Sequence, residues 1–285
     1  TNISVIKKWL ITSMIIKPLN QNVGCTIEDV SLHSASQEEL QQIHAAWLQY
    51  SVVFIRNQSL TPSEQLKFAS YFGEPDVYPF LVGLEGHPQV TRVLKTPKET
   101  ENFGGVWHTD TIYLEVPPKA SMLYAIEVPE QGGDTLFSNQ YKAYDMLSND
   151  IKDRISSLQA ESRSDLEAVS ATRLNRITDS GKASSVSYSA SHPMVRTHPD
   201  TGLKSLYISP AHTCSVEGLS VEDSRVLLTD LFAHQIKEEF QCRFAWRKGD
   251  LALWDNRCLL HLPLNDYQGQ LRLLHRITLK GDRPF

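Results

Sequence analysis

The chain has 285 residues, 41% of them hydrophobic, and a formal net charge of −5. That length fits one large domain with a sizeable core. The acidic balance argues against a nucleic-acid or anionic-membrane surface, so a small anionic ligand would have to be met by local arginines.

In chain order, Lys7-Lys8 and Trp9-Leu10-Ile11 come first, without the Arg-rich amphipathic pattern or small-residue cleavage site of a targeting segment. The apolar stretch Trp9 to Ile16 is broken by Thr12 and Ser13 and falls well short of the roughly 20 residues that span a bilayer. No transmembrane helix is expected. Cys25, Cys214, Cys242 and Cys258 show no C-x-x-C spacing and no dense framework, which suits a reducing, cytoplasmic setting.

Gln37 to Tyr50 places Leu40, Ile43, Trp47 and Tyr50 on one stripe behind a Ser36/Glu39 capping box, which predicts a helix. Ser51 to Ile55 reads as a strand. Thr61-Pro62-Ser63-Glu64 is a second capping box, with proline at the first helical position, opening a helix to about Tyr71. Strands then dominate: Val90 to Leu94, Ala120 to Val128, Met194 to His198, Ser205 to Ile208, Arg243 to Trp246, Leu251 to Trp254 and Leu271 to Leu279. The polar stretch Glu161 to Tyr188 reads as an inserted lid, from which Arg173 either reaches a substrate or stays solvated. Val221 to Phe240 is expected as one long helix packed outside the strands.

Among ten histidines, His108 stands out because Asp110 follows two residues later. In an extended strand His108 and Asp110 would point to one face. His261, in the apolar run Cys258 to Leu262 after the Asn256-Arg257 turn, could supply a third ligand. Two histidines and a carboxylate on one face of a divalent metal form the facial arrangement of non-haem Fe(II) oxygenases. Alone, an H-x-D tripeptide is weak, since such pairs often sit in loops with nothing bound. Arg272 and Arg276 strengthen it: period-two alternation puts both on one strand face, with Leu273, His275 and Ile277 on the other. Burying a guanidinium without an anion costs several kcal/mol, so the two pair either with structural carboxylates or with ligand anions.

Trp107-His108-Thr109-Asp110, Gly132-Gly133-Asp134-Thr135-Leu136, Val195-Arg196-Thr197-His198-Pro199 and Trp254-Asp255-Asn256-Arg257, with Arg272 and Arg276 after His261, resemble the taurine dioxygenase and dichlorophenoxyacetate dioxygenase (TauD/TfdA) family. The resemblance runs from about Met14 onward, with Met14-Ile15-Ile16-Lys17-Pro18-Leu19 like a family start, so it implies that residues 1–13 are an extension outside the fold and 14–285 a single domain. It implies a mainly β fold with flanking helices, a double-stranded β-helix or cupin-like jelly roll, that binds Fe(II) and 2-oxoglutarate. Carried over, the metal ligands are His108, Asp110 and His261, the 2-oxoglutarate carboxylate grip is Arg272 with Thr135, and Arg276 meets the acidic group of the prime substrate. Halogenating relatives replace the carboxylate ligand; Asp110 is present, so hydroxylation with release of succinate and CO₂ is expected.

Departures fall in the substrate pocket. Tyr78 stands where the taurine enzyme has a sulfonate-binding histidine, and the pocket asparagine falls on Gly104. Phe80-Leu81 and His212 suggest a cavity nearer the aryloxyalkanoate branch. The expected substrate is a small organic anion, an aryloxyalkanoate, alkyl sulfate or sulfonate, used with O₂ by a homo-oligomer. Two other readings stand: a zinc or manganese hydrolase or lyase with the same ligands, which leaves Arg272 and Thr135 unexplained, and a non-enzymatic jelly roll that binds a small acid.

Overall fold

The computed structural model describes residues 14–167 and 186–285, so the 1–13 extension and Arg173 lie outside the described residues. The first half runs β1 (Ile15–Pro18), β2 (Cys25–Glu28), α1 (Gln37–Tyr50), β3 (Val52–Ile55), α2 (Pro62–Phe72), β4 (Pro75–Asp76), β5 (Gly83–Leu84), β6 (His87–Lys95), β7 (Ala120–Glu127) and β8 (Thr135–Asn139). Next come α3 (Gln140–Asp145), α4 (Asn149–Ile155), β9 (Gln159–Arg163), β10 (Ser189–Pro193), β11 (Val195–Thr197), β12 (Lys204–Leu206) and β13 (Thr213–Val216). The chain ends with α5 (Val221–Gln235), β14 (Gln241–Phe244), β15 (Leu251–Asp255), β16 (Leu259–Pro263) and β17 (Arg272–Leu279).

The large sheet has the order β1-β2-β3-β15-β7-β17-β6-β5, with β4 on β17, and a smaller sheet β14-β8-β16 faces it. Period-two alternation builds two cores from the same strands. Val52, Phe54, Leu123, Ala125, Ala252, Trp254 and Leu274 point inward against Phe137, Phe244 and Leu259 of the smaller sheet. Val53, Ile55, Met122, Leu251, Leu253, Ile277 and Leu279 point the other way and bury Ile43 and Trp47 of α1 and Phe68, Ala69 and Phe72 of α2. The result is the expected β-sandwich with flanking helices. A third sheet, β10-β9-β13, packs with α4 and α5 through Ile155, Leu227, Leu228 and Leu231.

Both predicted capping boxes form: Ser36 Oγ accepts from the Glu39 amide, and Thr61 Oγ1 from the Glu64 amide. Ser51 is not in the strand but ends α1 in the left-handed region at φ 66°. The long late helix is shorter than expected. It stops at Gln235 because the Gln235 carbonyl is captured by the Ser138 hydroxyl and the Gln140 amide, which satisfies one of the terminal acceptors from outside; Glu238–Phe240 is a separate 3-10 turn. The polar insertion also begins later than expected, since Glu161–Arg163 belong to β9 and pair with β10 and β13. Its two ends are drawn together where the Ser164 amide donates to the Tyr188 carbonyl. Among the described residues no helix is long and apolar enough to cross a membrane, and all four cysteines are unpaired.

Candidate active site

His261 lies in the middle of β16, paired with Phe137 of β8. His108 meets it through a single antiparallel bridge, the His108 amide donating to the His261 carbonyl at 3.1 Å and the His261 amide to the His108 carbonyl at 2.8 Å. The expected strand through His108-Thr109-Asp110 is reduced to the one bridge at His108; the chain enters a turn at Asp110, with Thr111 at φ 45°.

The three side chains are buried and their ligand atoms all lie within 4.8 Å of one another. Asp110 Oδ1 is 3.6 Å from His108 Nε2 and 3.9 Å from His261 Nε2. His108 Nδ1 is 2.7 Å from the Val106 carbonyl, a geometry in which Nδ1–H donates and Nε2 keeps its lone pair toward Asp110. The His261 ring is held by packing, its centroid 4.8 Å from that of Trp254 and 6.1 Å from that of Phe137. Burial, reinforced by the charges of His108 and Arg276, pushes the His261 imidazole down to about 3, so it is neutral at pH 7. Burial alone would raise Asp110, but the two imidazoles facing its Oδ1 and the nearby Arg276 guanidinium outweigh it and hold the carboxyl far below its ordinary range. A neutral imidazole and an ionised carboxylate are the protonation states that a divalent metal requires.

Beside the triad, on β17, Arg272 and Arg276 face the same interior, as the alternation predicted. Both are buried, and Nε and Nη2 of each have no hydrogen-bond partner among the described residues. Burial lowers the Arg272 guanidinium, and Tyr267 and Asp134 oppose this only in part. Thr135, Arg272, Arg276, His108, Asp110 and His261 line one cavity, so the structure brings these six predicted residues together. Trp246 completes this corner: its indole N–H donates to Thr135 Oγ1 at 3.0 Å, which leaves the threonine hydroxyl proton available to an anion. Gly133 lets the chain pass close by at φ 71°, where a Cβ would lie 3.4 Å from Arg272 Cδ. The sequence offered no sign of the Trp246 contact, since it spans strand-end residues far apart in the chain.

A second cavity shares His108, Asp110 and Phe103 with the first and is lined also by Tyr78, Val106, Tyr113 and His212 among others. Tyr78 and His212, both singled out in the sequence, line this cavity. The Tyr78 ring stacks on Arg276, with the guanidinium carbon 3.9 Å from the ring centroid. Phe80 and Leu81 are not walls of this cavity. Phe80 packs behind Tyr78 and Tyr113, at centroid distances of 5.3 and 6.0 Å, while Leu81 lines a separate outer cleft. Tyr113, three residues past Asp110, was missed; its position in the turn gave no periodic signal. Gly104 has a physical reason for its identity: at φ 76° a Cβ would lie 2.7 Å from His108 Cε1, so this loop touches the imidazole only without a side chain.

His198, Asp255 and Cys258 also cluster in the interior. Both nitrogens of His198 are committed, Nε2 at 2.9 Å from Asp255 Oδ2 and Nδ1 accepting from the Asp200 and Thr201 amides. Asp255 in turn receives two hydrogen bonds from the Arg257 guanidinium and one from its amide, and although burial would raise its carboxyl, that arginine holds it low. This group joins the R-T-H-P and W-D-N-R segments as a structural ion pair, in keeping with a satisfied core histidine.

A sequence-family profile described as taurine catabolism dioxygenase TauD, TfdA family matches residues 16–278. An alkylsulfatase from Acinetobacter baylyi is 32% identical, over 94% of this chain and 85% of its own. An alpha-ketoglutarate-dependent 2,4-dichlorophenoxyacetate dioxygenase from Cupriavidus pinatubonensis is also 32% identical, over 95% of this chain and 99% of its own. The crystal structure of a putative alpha-ketoglutarate-dependent taurine dioxygenase from Burkholderia xenovorans superimposes with a TM-score of 0.81 at 34% identity, covering 95% of this chain and 94% of that one.

Proposed function

The chain belongs to the TauD/TfdA family of 2-oxoglutarate-dependent dioxygenases, and on that premise we propose that it hydroxylates a small organic anion with a hydrophobic body, using Fe(II) held by His108, Asp110 and His261. The observation that carries this reading is the pair of buried arginines beside the triad, each with unpartnered nitrogens. A zinc hydrolase with the same ligands has no use for two anion grips on one wall, whereas a 2-oxo diacid and an anionic substrate need one each.

When bound, Fe(II) with 2-oxoglutarate and O₂ supplies the oxidising chemistry, with succinate and CO₂ as by-products. The protein's share is ligation, orientation and exclusion of water. Arg272 and the Thr135 hydroxyl hold the far carboxylate of 2-oxoglutarate; Trp246 fixes the direction of that hydroxyl. Arg276, capped by Tyr78, meets the acidic group of the substrate. Tyr78, Phe103, Val106 and Tyr113 cover its body, and His212 closes the wall with its ring 4.9 Å from Tyr113. Hydroxylation at a carbon beside a heteroatom gives a centre whose C–O or C–S bond then breaks as the new hydroxyl loses its proton and becomes a carbonyl, releasing a phenol, sulfate or sulfite.

The substrate classes named for the relatives, alkyl sulfates and aryloxyalkanoates, suit this pocket better than taurine does. Burying a hydrophobic body contributes about 25 cal/mol per Å² that a two-carbon ammonium chain cannot supply. Aryloxyalkanoates or longer alkyl sulfates are expected to exceed taurine in specificity constant for substrate-coupled succinate release. A clear lead for taurine would overturn this assignment.

A further inference from the structure

Resting on the reading of the triad as a metal site, we propose that Ser121 is a positioning residue that commits Asp110 Oδ2 to a hydrogen bond, so that Oδ1 alone is offered to the metal. Asp110 Oδ1 faces the ligand nitrogens of both histidines, while Oδ2 receives the Ser121 hydroxyl at 2.5 Å. Ser121 lies on β7, directly opposite Trp254 of β15, and the residue after that strand, Asn256, completes a buried relay. Trp254 Nε1 donates to Asn256 Oδ1 at 2.9 Å, and Asn256 Nδ2 donates to Ser121 Oγ at 2.9 Å.

The direction of this relay follows from one obligate donor. An indole N–H can only donate, so the Asn256 atom facing it is the carbonyl oxygen; that turns the amide nitrogen toward Ser121, and the serine must then pass its own proton to Asp110. The backbone of the same asparagine accepts the Thr109 hydroxyl at 2.8 Å, so the two residues after His108 are both tied to the end of β15. This gives the W-D-N segment a role in the site that none of its side chains has by direct contact with the cavity, apart from the Trp254 ring against His261. A carboxylate that could turn and offer both oxygens would occupy one more position of the metal, at the expense of the three left open by a facial triad.

Cobalt(II) titration, followed by its visible ligand-field bands, reads the proposal without turnover. The parent protein is expected to bind Co(II), Ser121→Ala to bind it about 10- to 100-fold more weakly with altered bands, the range seen when such outer hydrogen bonds are removed. Asn256→Asp keeps the volume but presents an acceptor to Ser121, which draws the serine proton away from Asp110; the same loss is expected, and this variant decides the matter should Ser121→Ala fail to fold. Metal-free far-UV circular dichroism unlike that of the parent identifies such a failure. Co(II) affinity within twofold of the parent, with unchanged bands in a folded variant, would overturn the role of Ser121 and leave the metal site intact. Absence of Co(II) binding by the parent would instead overturn the metal reading itself.

Discussion

Arg272 and Arg276 share a strand face four residues apart, yet their surroundings divide them. Arg272 lies among Thr135, Trp246 and Tyr267, with its guanidinium carbon 5.8 Å from the Trp246 ring, while Arg276 lies under Tyr78 and Phe103. Arg272→Ala is therefore expected to raise the KM for 2-oxoglutarate by roughly one to two orders of magnitude, the scale of a lost charge-assisted contact. Arg276→Ala should leave substrate-free 2-oxoglutarate consumption near the parent level and damage use of the prime substrate. Steady-state kinetics in both co-substrates separates the two, and the reverse pattern would exchange the assignments. The common face of these arginines was legible in the sequence because a strand's alternation is rigid. The hydrogen bonds from Trp246 to Thr135 and from Ser121 to Asp110 were not, because each joins residues whose proximity only the sheet pairing creates.

At the scale of elements, the loop before His108 shows where period-based reading stops. His108 and Asp110 have the spacing of strand neighbours on one face, but only one residue pair bridges to β16 before the backbone enters the left-handed region at Thr111. His108 Nε2 and Asp110 Oδ1 still face each other, 3.6 Å apart, although the strand is reduced to a single bridge. Gly104 in the same loop carries a testable consequence. Gly104→Ala would force a Cβ into contact with His108 Cε1 at a φ that L-residues adopt at a cost of about 1 kcal/mol, so the ring or the loop must move. Metal affinity, read by titration, is expected to fall by about tenfold or more, while thermal unfolding of the metal-free protein changes little; unchanged affinity would show that the loop yields without disturbing the ligand. Helices were read more closely than turns. Both capping boxes were local signals, whereas the end of α5 was set by Ser138 and Gln140, which come from elsewhere in the chain.

Across the whole molecule, one large sheet serves two layers. Its outer face binds α1 and α2 and makes a stable wall; its inner face carries the arginines and closes over the triad with the smaller sheet. Apolar packing thus holds charged groups where water is excluded, the condition under which an unpartnered guanidinium binds an anion strongly. The family and its sandwich were visible in separated sequence blocks because W-H-T-D and the segment opening β8 carry residues of the site, while R-T-H-P and W-D-N-R are joined by the buried His198-Asp255-Arg257 ion pair. Substrate identity was less visible, since the pocket is finished by Tyr113 and by the second-layer packing of Phe80, which no single block contains. The central claim is that His108, Asp110 and His261 hold a metal on which 2-oxoglutarate can be chelated. Anaerobic addition of Fe(II) and 2-oxoglutarate tests it most directly. A weak visible charge-transfer band is expected in the parent protein and should be lost or greatly weakened in His108→Ala, Asp110→Ala and His261→Ala; no band in the parent, or a full-strength band in any of the three variants, would contradict it.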